Sequence, residues 1–99
     1  MNINGYETMT TFWQDFLIAD KFGIAAIRDT YNRAFNEWKS NYKYLTELVM
    51  VLNHKCWEHY GKGNQKISGL YAELYYAAAD YAIENLQGDE LTYYFQVTD

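Results

Sequence analysis

The fold is decided by two helical segments and the break between them, residues 42–86, which read YKYLTELVMVLNHKCWEHYGKGNQKISGLYAELYYAAADYAIENL. The first segment has apolar residues every three or four positions, the spacing of one helix face: Leu45, Leu48, Val49, Leu52 and Cys56. The second segment continues this pattern: Ile67, Leu70, Leu74, Ala78 and Tyr81. The GKGN tetrapeptide between them has glycines suited to a helix C-cap and turn. We therefore predict helices from about Tyr42 to Tyr60 and from about Gln65 to Leu86.

The N-terminal side adds two more predicted helices. Thr10 or Thr11 is expected to cap the first, which Gly23 interrupts, and its apolar positions are Phe12, Trp13, Phe16 and Leu17. The second begins at Ile24, and Ser40-Asn41 ends it. Its apolar stripe has the spacing of one helix face: Ile24, Ile27, Tyr31, Ala34, Phe35 and Trp38.

The C-terminal side is less determined by pattern. Gly88 closes the fourth helix, Asp89 can cap the next, and Leu91 to Phe95 form a short final helix. The alternative is an extended tail from Leu91 to Val97, because Thr, Tyr, Phe and Val also favour strands. The sequence thus predicts one all-α domain over residues 1–99, a small bundle of four helices plus a short C-terminal helix.

Composition narrows the class of protein. The chain has 99 residues, of which 49% are hydrophobic and 21% charged, as in a globular domain. The lone Cys56 excludes an internal disulfide. The first residues, MNINGYETMTTF, lack the basic and apolar regions of a signal peptide, and no apolar run approaches the length of a membrane span. We expect a cytoplasmic protein that does not contact membranes.

Charge is divided unevenly along the chain. Residues 21–66 hold all eight Lys and Arg, whereas residues 67–99 hold six carboxylates and no base. Six of the eleven tyrosines also fall in this last third. Such a surface would repel nucleic acid, so we predict no direct nucleic-acid ligand.

The carboxylates of the fourth helix form a pattern of their own. Glu73, Asp80 and Glu84 are seven and four residues apart, so they share one face, with gaps of about 10 and 6 Å. The smaller gap is comparable to the distance between successive phosphates, so the face fits a basic groove built for nucleic acid. The predicted partner-binding residues are Glu73, Tyr76, Asp80, Glu84, Asp89, Glu90, Tyr93 and Tyr94. The alternatives are a merely solvated face, or pairing of these acids with the basic middle of the chain.

Catalytic and metal motifs are weak. His54 and Glu58 share a helix face and offer two metal ligands, but no second cluster completes a site. Cys56 lies on the apolar face and is expected to be a buried hydrophobe. The three tryptophans, Trp13, Trp38 and Trp57, are expected to pack in the core. We predict no enzyme activity, no metal and no cofactor.

Three segments carry a resemblance: Thr11–Gly23, Thr30–Trp57 and Gly88–Asp99. They resemble small uncharacterised acidic proteins encoded in phages and conjugative elements of gut bacteria. No functional motif accompanies the likeness, so no residue role is carried over from it. The resemblance implies an inhibitor of host defence in the bacterial cytoplasm, of the anti-CRISPR kind, some of which mimic DNA on a Cas nuclease. The alternative is a self-associating structural or regulatory protein, such as a homodimer.

Overall fold

The chain folds into five α-helices in a computed structural model, which describes the backbone of residues 4–98 and the side chains of residues 11–98. The helices are α1 (Asn4–Phe22), α2 (Ile24–Trp38), α3 (Tyr42–Gly61), α4 (Gln65–Asn85) and α5 (Asp89–Thr98). No strand occurs in these residues. The all-α prediction of four helices plus a short C-terminal helix is confirmed.

The bounds of two helices, α1 and α5, differ from those predicted. The first helix begins at Asn4 and passes through Thr10 and Thr11, so neither threonine caps it. No proline interrupts the polar lead, and the helix continues through it. The last helix runs from Asp89 to Thr98, so Asp89 is its first residue and does not cap it, and the extended alternative is ruled out.

Short breaks separate the helices. Gly23 alone divides α1 from α2, with φ at 103°, a value that side chains disfavour. Asn41 caps α3, where its Oδ1 accepts hydrogen bonds from the backbone N–H groups of Lys43 (3.1 Å) and Tyr44 (3.2 Å). Asn64 caps α4 in the same way through the N–H of Ile67. These caps lie in the breaks that the sequence predicted.

Helix α3 is the centre of the bundle. It contacts each of the other four helices, and its largest interface is with α4. Its stripe of Leu45, Leu48 and Leu52 is fully buried, as the apolar spacing predicted. Helix α5 packs on α3 and, to a smaller extent, on α4. Among residues 4–98, no helix is long and apolar enough to cross a membrane.

Candidate functional site

The predicted partner-binding carboxylates lie along α4 and at the start of α5. Glu73, Asp80 and Glu84 are all exposed to solvent, and the helical repeat places them within about 40° of one another around the α4 axis. Asp89 and Glu90 are exposed in the first turn of α5. Their charge is favourable there, because the N-terminus of a helix carries a partial positive charge.

Glu73 differs from the other four predicted partner-binding carboxylates because it has a cationic partner. Its Oε2 and Oε1 accept hydrogen bonds from Nη1 (2.8 Å) and Nη2 (3.2 Å) of Arg28 on α2. These bonds lower the pKa of Glu73 below its ordinary value. At this position the acidic end of the chain pairs with the basic middle, which was the alternative interpretation of the charge pattern. Glu73 is therefore engaged within the bundle.

The three predicted tyrosines occupy different environments. Tyr76 is exposed, whereas Tyr93 is half-buried, with its ring edge-to-face against Tyr42 at 5.3 Å between centroids. Tyr94 is only 3% exposed and belongs to the core. Burial raises the pKa of its hydroxyl, and the neighbouring Tyr75 and Asp80 raise it further. Tyr94 therefore lies outside the exposed surface, because α5 turns this side chain inward.

Apart from Glu73, five residues of the predicted set are exposed, three on α4 and two at the start of α5. We call these residues the acidic surface, which consists of Tyr76, Asp80, Glu84, Asp89 and Glu90. None of its carboxylates makes an ion pair with any of residues 11–98. Ile83 and Phe95 are also exposed on these two helices, which the sequence did not predict. The acidic surface thus carries unpaired charge, and exposed apolar side chains lie on the same two helices.

The structure also contains a buried ion-pair cluster that sequence reasoning missed. Lys55 is 0% exposed, which is rare for a lysine. Its Nζ lies 2.5 Å from Oδ2 of Asp20 on α1 and 3.2 Å from Oε2 of Glu58. The ammonium also lies 5.0 Å from the ring centroid of Trp13, a cation–π distance.

Asp20 is the centre of this cluster. Tyr71 donates its hydroxyl hydrogen bond to Oδ1 (2.5 Å), and Nε2 of His59 lies 3.0 Å from Oδ2. Burial acts to raise the pKa of Asp20, but the hydrogen bonds from Lys55, Tyr71 and His59 outweigh it and hold the pKa below its usual value. Burial, followed by the bond to Asp20, raises the pKa of Tyr71. The cluster links α1, α3 and α4.

The same cluster has the outline of a metal site. One ligand atom from each of Asp20, Glu58 and His59 lies within 4.8 Å of the others. The ammonium of Lys55 contacts both carboxylates and that of Lys62 contacts Glu58, so two positive charges already balance the two negative ones. Because Lys55 is fully buried, its amine has no access to a substrate from solvent. We interpret the cluster as a structural ion-pair network.

A second buried acid lies on α3. Glu47 is buried, and its Oε1 has no hydrogen-bond partner among the residues whose side chains are described. Burial raises the pKa of Glu47 to about 7, against a smaller opposing effect of Lys43. Its charge in turn helps to raise the pKa of Tyr93 on α5. Glu47 is thus a buried acid with an unsatisfied oxygen atom, and it lies near the contact between α3 and α5.

The residues considered for chemistry in the sequence do not converge. His54 is exposed and lies edge-on to Trp13 at 6.5 Å between ring centroids, whereas Glu58 contacts Lys55 and Lys62. The two candidate ligands therefore make separate contacts, His54 with Trp13 and Glu58 with the two lysines.

Cys56 and the tryptophans were predicted to be buried. Cys56 is half-buried against the core, with Sγ 3.5 Å from Oγ of Ser68. Trp13 and Trp38 pack against the core as predicted. The prediction is wrong for Trp57, which is exposed and contacts the equally exposed Tyr60 at 5.6 Å between ring centroids. Trp57 follows the stripe residue Cys56 by one position, which turns it about 100° away from the core.

The candidate sites thus differ in accessibility. The acidic surface is open to a partner and carries unpaired charge, whereas the Lys55–Asp20 cluster is closed and internally neutralised. The acidic surface is therefore suited to binding a partner, whereas the cluster is suited to stabilising the fold. No protein-family model, curated protein or solved structure matches this chain.

Proposed function

We propose that this chain is a non-enzymatic protein-binding module whose acidic surface contacts a basic surface of a nucleic-acid-binding protein. One observation carries the proposal: Asp80, Glu84, Asp89 and Glu90 are exposed and make no ion pair within residues 11–98. Unpaired carboxylates of this kind speed association with a cationic partner and make it sensitive to salt.

The more specific proposal is inhibition of a host defence nuclease, such as a Cas nuclease, in a bacterial cytoplasm. It rests on the resemblance to proteins of phages and conjugative elements, together with the charge of the acidic surface. A nuclease groove that binds nucleic acid is lined with Lys and Arg. Carboxylates about 6 Å apart on α4 would occupy such a groove in place of phosphates.

The test removes charge from the acidic surface and keeps one acidic residue in the first turn of α5. The triple variant Asp80→Asn, Glu84→Gln, Glu90→Gln leaves Asp89 in place, since Asp89 is the first residue of α5. We expect the immobilised wild type to capture a nucleic-acid-binding protein from host lysate at low salt. Raised salt or added duplex DNA should release that protein, and the triple variant should capture it at least about tenfold less well.

A matched control has the same change in charge elsewhere. The variant Asp15→Asn, Asp29→Asn, Glu37→Gln alters three exposed carboxylates on α1 and α2. We expect this control to capture the protein as the wild type does. Equal loss in both variants, or none in the first, would contradict a role for the acidic surface.

Self-association is the second candidate function. The exposed pair Trp57 and Tyr60 favours it, because aromatic side chains are enriched at the centres of interfaces. Sedimentation at low and high micromolar concentration tests it. We expect Trp57→Ser to abolish any dimer that forms, and a wild type that remains monomeric at both concentrations would remove this candidate.

A further inference from the structure

A groove runs between α1 and α2, and no residue of the acidic surface lines it. It encloses about 440 Å³. Small residues lie along it, with Ala19 and Ala34 buried and Ala26 half-buried. Large side chains of an incoming element pack well over a surface of small residues, since ridges then fit into grooves.

One wall of this groove is apolar and unusually exposed. Ile18 is 55% exposed and Phe22 is 77% exposed, and both line the groove. They are four residues apart on α1, so they project from the same face of the helix. The wall therefore offers apolar contact area that residues 11–98 leave uncovered.

The charge along the groove is predominantly negative. Asp15 and Glu37 line it and form no ion pair with any of residues 11–98. The remaining pair is Asp29 and Arg33, which neutralise each other through an exposed contact of 3.1 Å. A partner with positive charge on the flanks of an apolar stripe would complement both features.

We propose that this groove is a docking site for an amphipathic helix of a partner protein, with large apolar side chains on one face and Lys or Arg beside them. The groove extends along α1 from Phe12 to Phe22, a length of about 15 Å. That length accommodates about ten residues of a helix, or nearly three turns, with anchors at three- and four-residue spacing. The proposal is independent of the acidic surface, because the two share no residue.

The probe is a synthetic peptide of about 16 residues with Leu at helical spacing and Lys on both flanks of the Leu stripe. Two control peptides accompany it: one with the same composition in scrambled order, and one with Glu in place of every Lys. We expect calorimetry to show binding of the first peptide to the wild type. The scrambled and acidic peptides should bind at least about tenfold more weakly.

Variants of the chain locate the binding. The double variant Ile18→Ser, Phe22→Ser should weaken binding about tenfold or more. Leu17→Ser should leave it unchanged, because Leu17 is a similarly exposed neighbour that does not line the groove. These side chains are exposed, so circular dichroism should show the same helix content in all variants.

Charge variants separate the groove from general attraction to an acidic protein. Asp15→Lys, Glu37→Lys should weaken binding of the Lys peptide, whereas Glu84→Lys, Glu90→Lys on the acidic surface should not. Equal weakening by both pairs, or binding that survives Ile18→Ser, Phe22→Ser, would overturn the proposal. A wild-type dimer that dissociates in the Ile18→Ser, Phe22→Ser variant would also overturn it, since a second copy would then occupy the groove.

Discussion

Replacing Asp20 with Asn tests whether the buried ion pair holds the bundle together. Lys55 is fully buried, and Asp20 is its nearest anionic partner at 2.5 Å. Removal of one partner from a buried pair costs about 3–5 kcal/mol, because the other charge stays in the interior uncompensated. Glu58 remains 3.2 Å from Lys55 in the variant, so we expect a loss of unfolding free energy at the lower end of this range, about 3 kcal/mol. For a domain of this size that loss lowers Tm by about 12–24 °C.

Urea unfolding followed by circular dichroism at pH 7 measures this loss. The control Asp15→Asn changes the same side chain at an exposed position of the same helix and should alter stability by less than about 0.5 kcal/mol. The double variant Asp20→Asn, Lys55→Met removes both charges and should recover part of the loss, since no ammonium is then left unpaired. A cost below about 1 kcal/mol for Asp20→Asn would refute the reasoning.

The pH dependence of the same variant gives an independent check. The folded state holds the pKa of Asp20 below its usual value, so the carboxylate contributes stability above the unfolded pKa of about 3.9. That contribution is lost as the pH falls through the folded pKa, because the wild-type carboxyl is then protonated. The difference in stability between the wild type and Asp20→Asn should therefore shrink below about pH 4.

The remaining predictions concern Glu47 and the pair of Arg28 with Glu73. Because burial raises the pKa of Glu47 to about 7, its effect on stability is absent below the unfolded value of 4.5 and becomes unfavourable as the pH rises towards 7. We expect Glu47→Gln to stabilise the fold at pH 8 by up to about 3 kcal/mol, and to have little effect at pH 4, in urea unfolding at both values; equal effects at the two pH values would argue against it. Arg28→Gln should lower Tm by no more than about 5 °C, because the pair is exposed and screened by solvent. A thermal melt at low and raised salt checks this, and a large loss that salt does not reduce would contradict it.

Most of the fold follows from the spacing of apolar residues. The α3 stripe and the glycine-containing turn are local features, and the structure has them where the pattern indicates. The caps at Asn41 and Asn64 lie in the predicted breaks. The predicted start of α1 was wrong, because a threonine is a good helix cap but does not force a helix to begin at that position. Local sequence preferences thus predicted which helices form, but they did not predict that α1 begins as early as Asn4.

The buried ion-pair cluster around Lys55 was not predicted from the sequence. Lys55 and His59 continue the three- and four-residue spacing of Leu48 and Leu52, so the helical repeat already placed them on the core face. The residue type of Lys55 indicated a surface position instead, because lysine is almost never fully buried unless it is paired. The pairing residue, Asp20, lies 35 positions earlier on another helix, and no local pattern reveals that contact.

The acidic surface was predicted only in part, because some of its features depend on contacts between helices that are distant in sequence. The shared face of Asp80 and Glu84 follows from spacing within one helix, and both are exposed. The burial of Tyr94, by contrast, depends on how α5 lies across α3 and α4, and the pairing of Glu73 depends on the position of Arg28 on α2. Tertiary packing therefore reduced the predicted set to Tyr76 and four of the five carboxylates, Asp80, Glu84, Asp89 and Glu90.

The dominance of the α3–α4 interface has a consequence for the order in which the chain folds. These helices are neighbours in sequence and are joined by a three-residue turn, so closing the loop between them costs little entropy. Chains rich in such local contacts fold rapidly, in about microseconds to milliseconds. The α3–α4 hairpin would form as the nucleus, and the Lys55–Asp20 contact, which spans a larger loop, would form after it. Loss of that contact would then accelerate unfolding and leave the folding rate nearly unchanged.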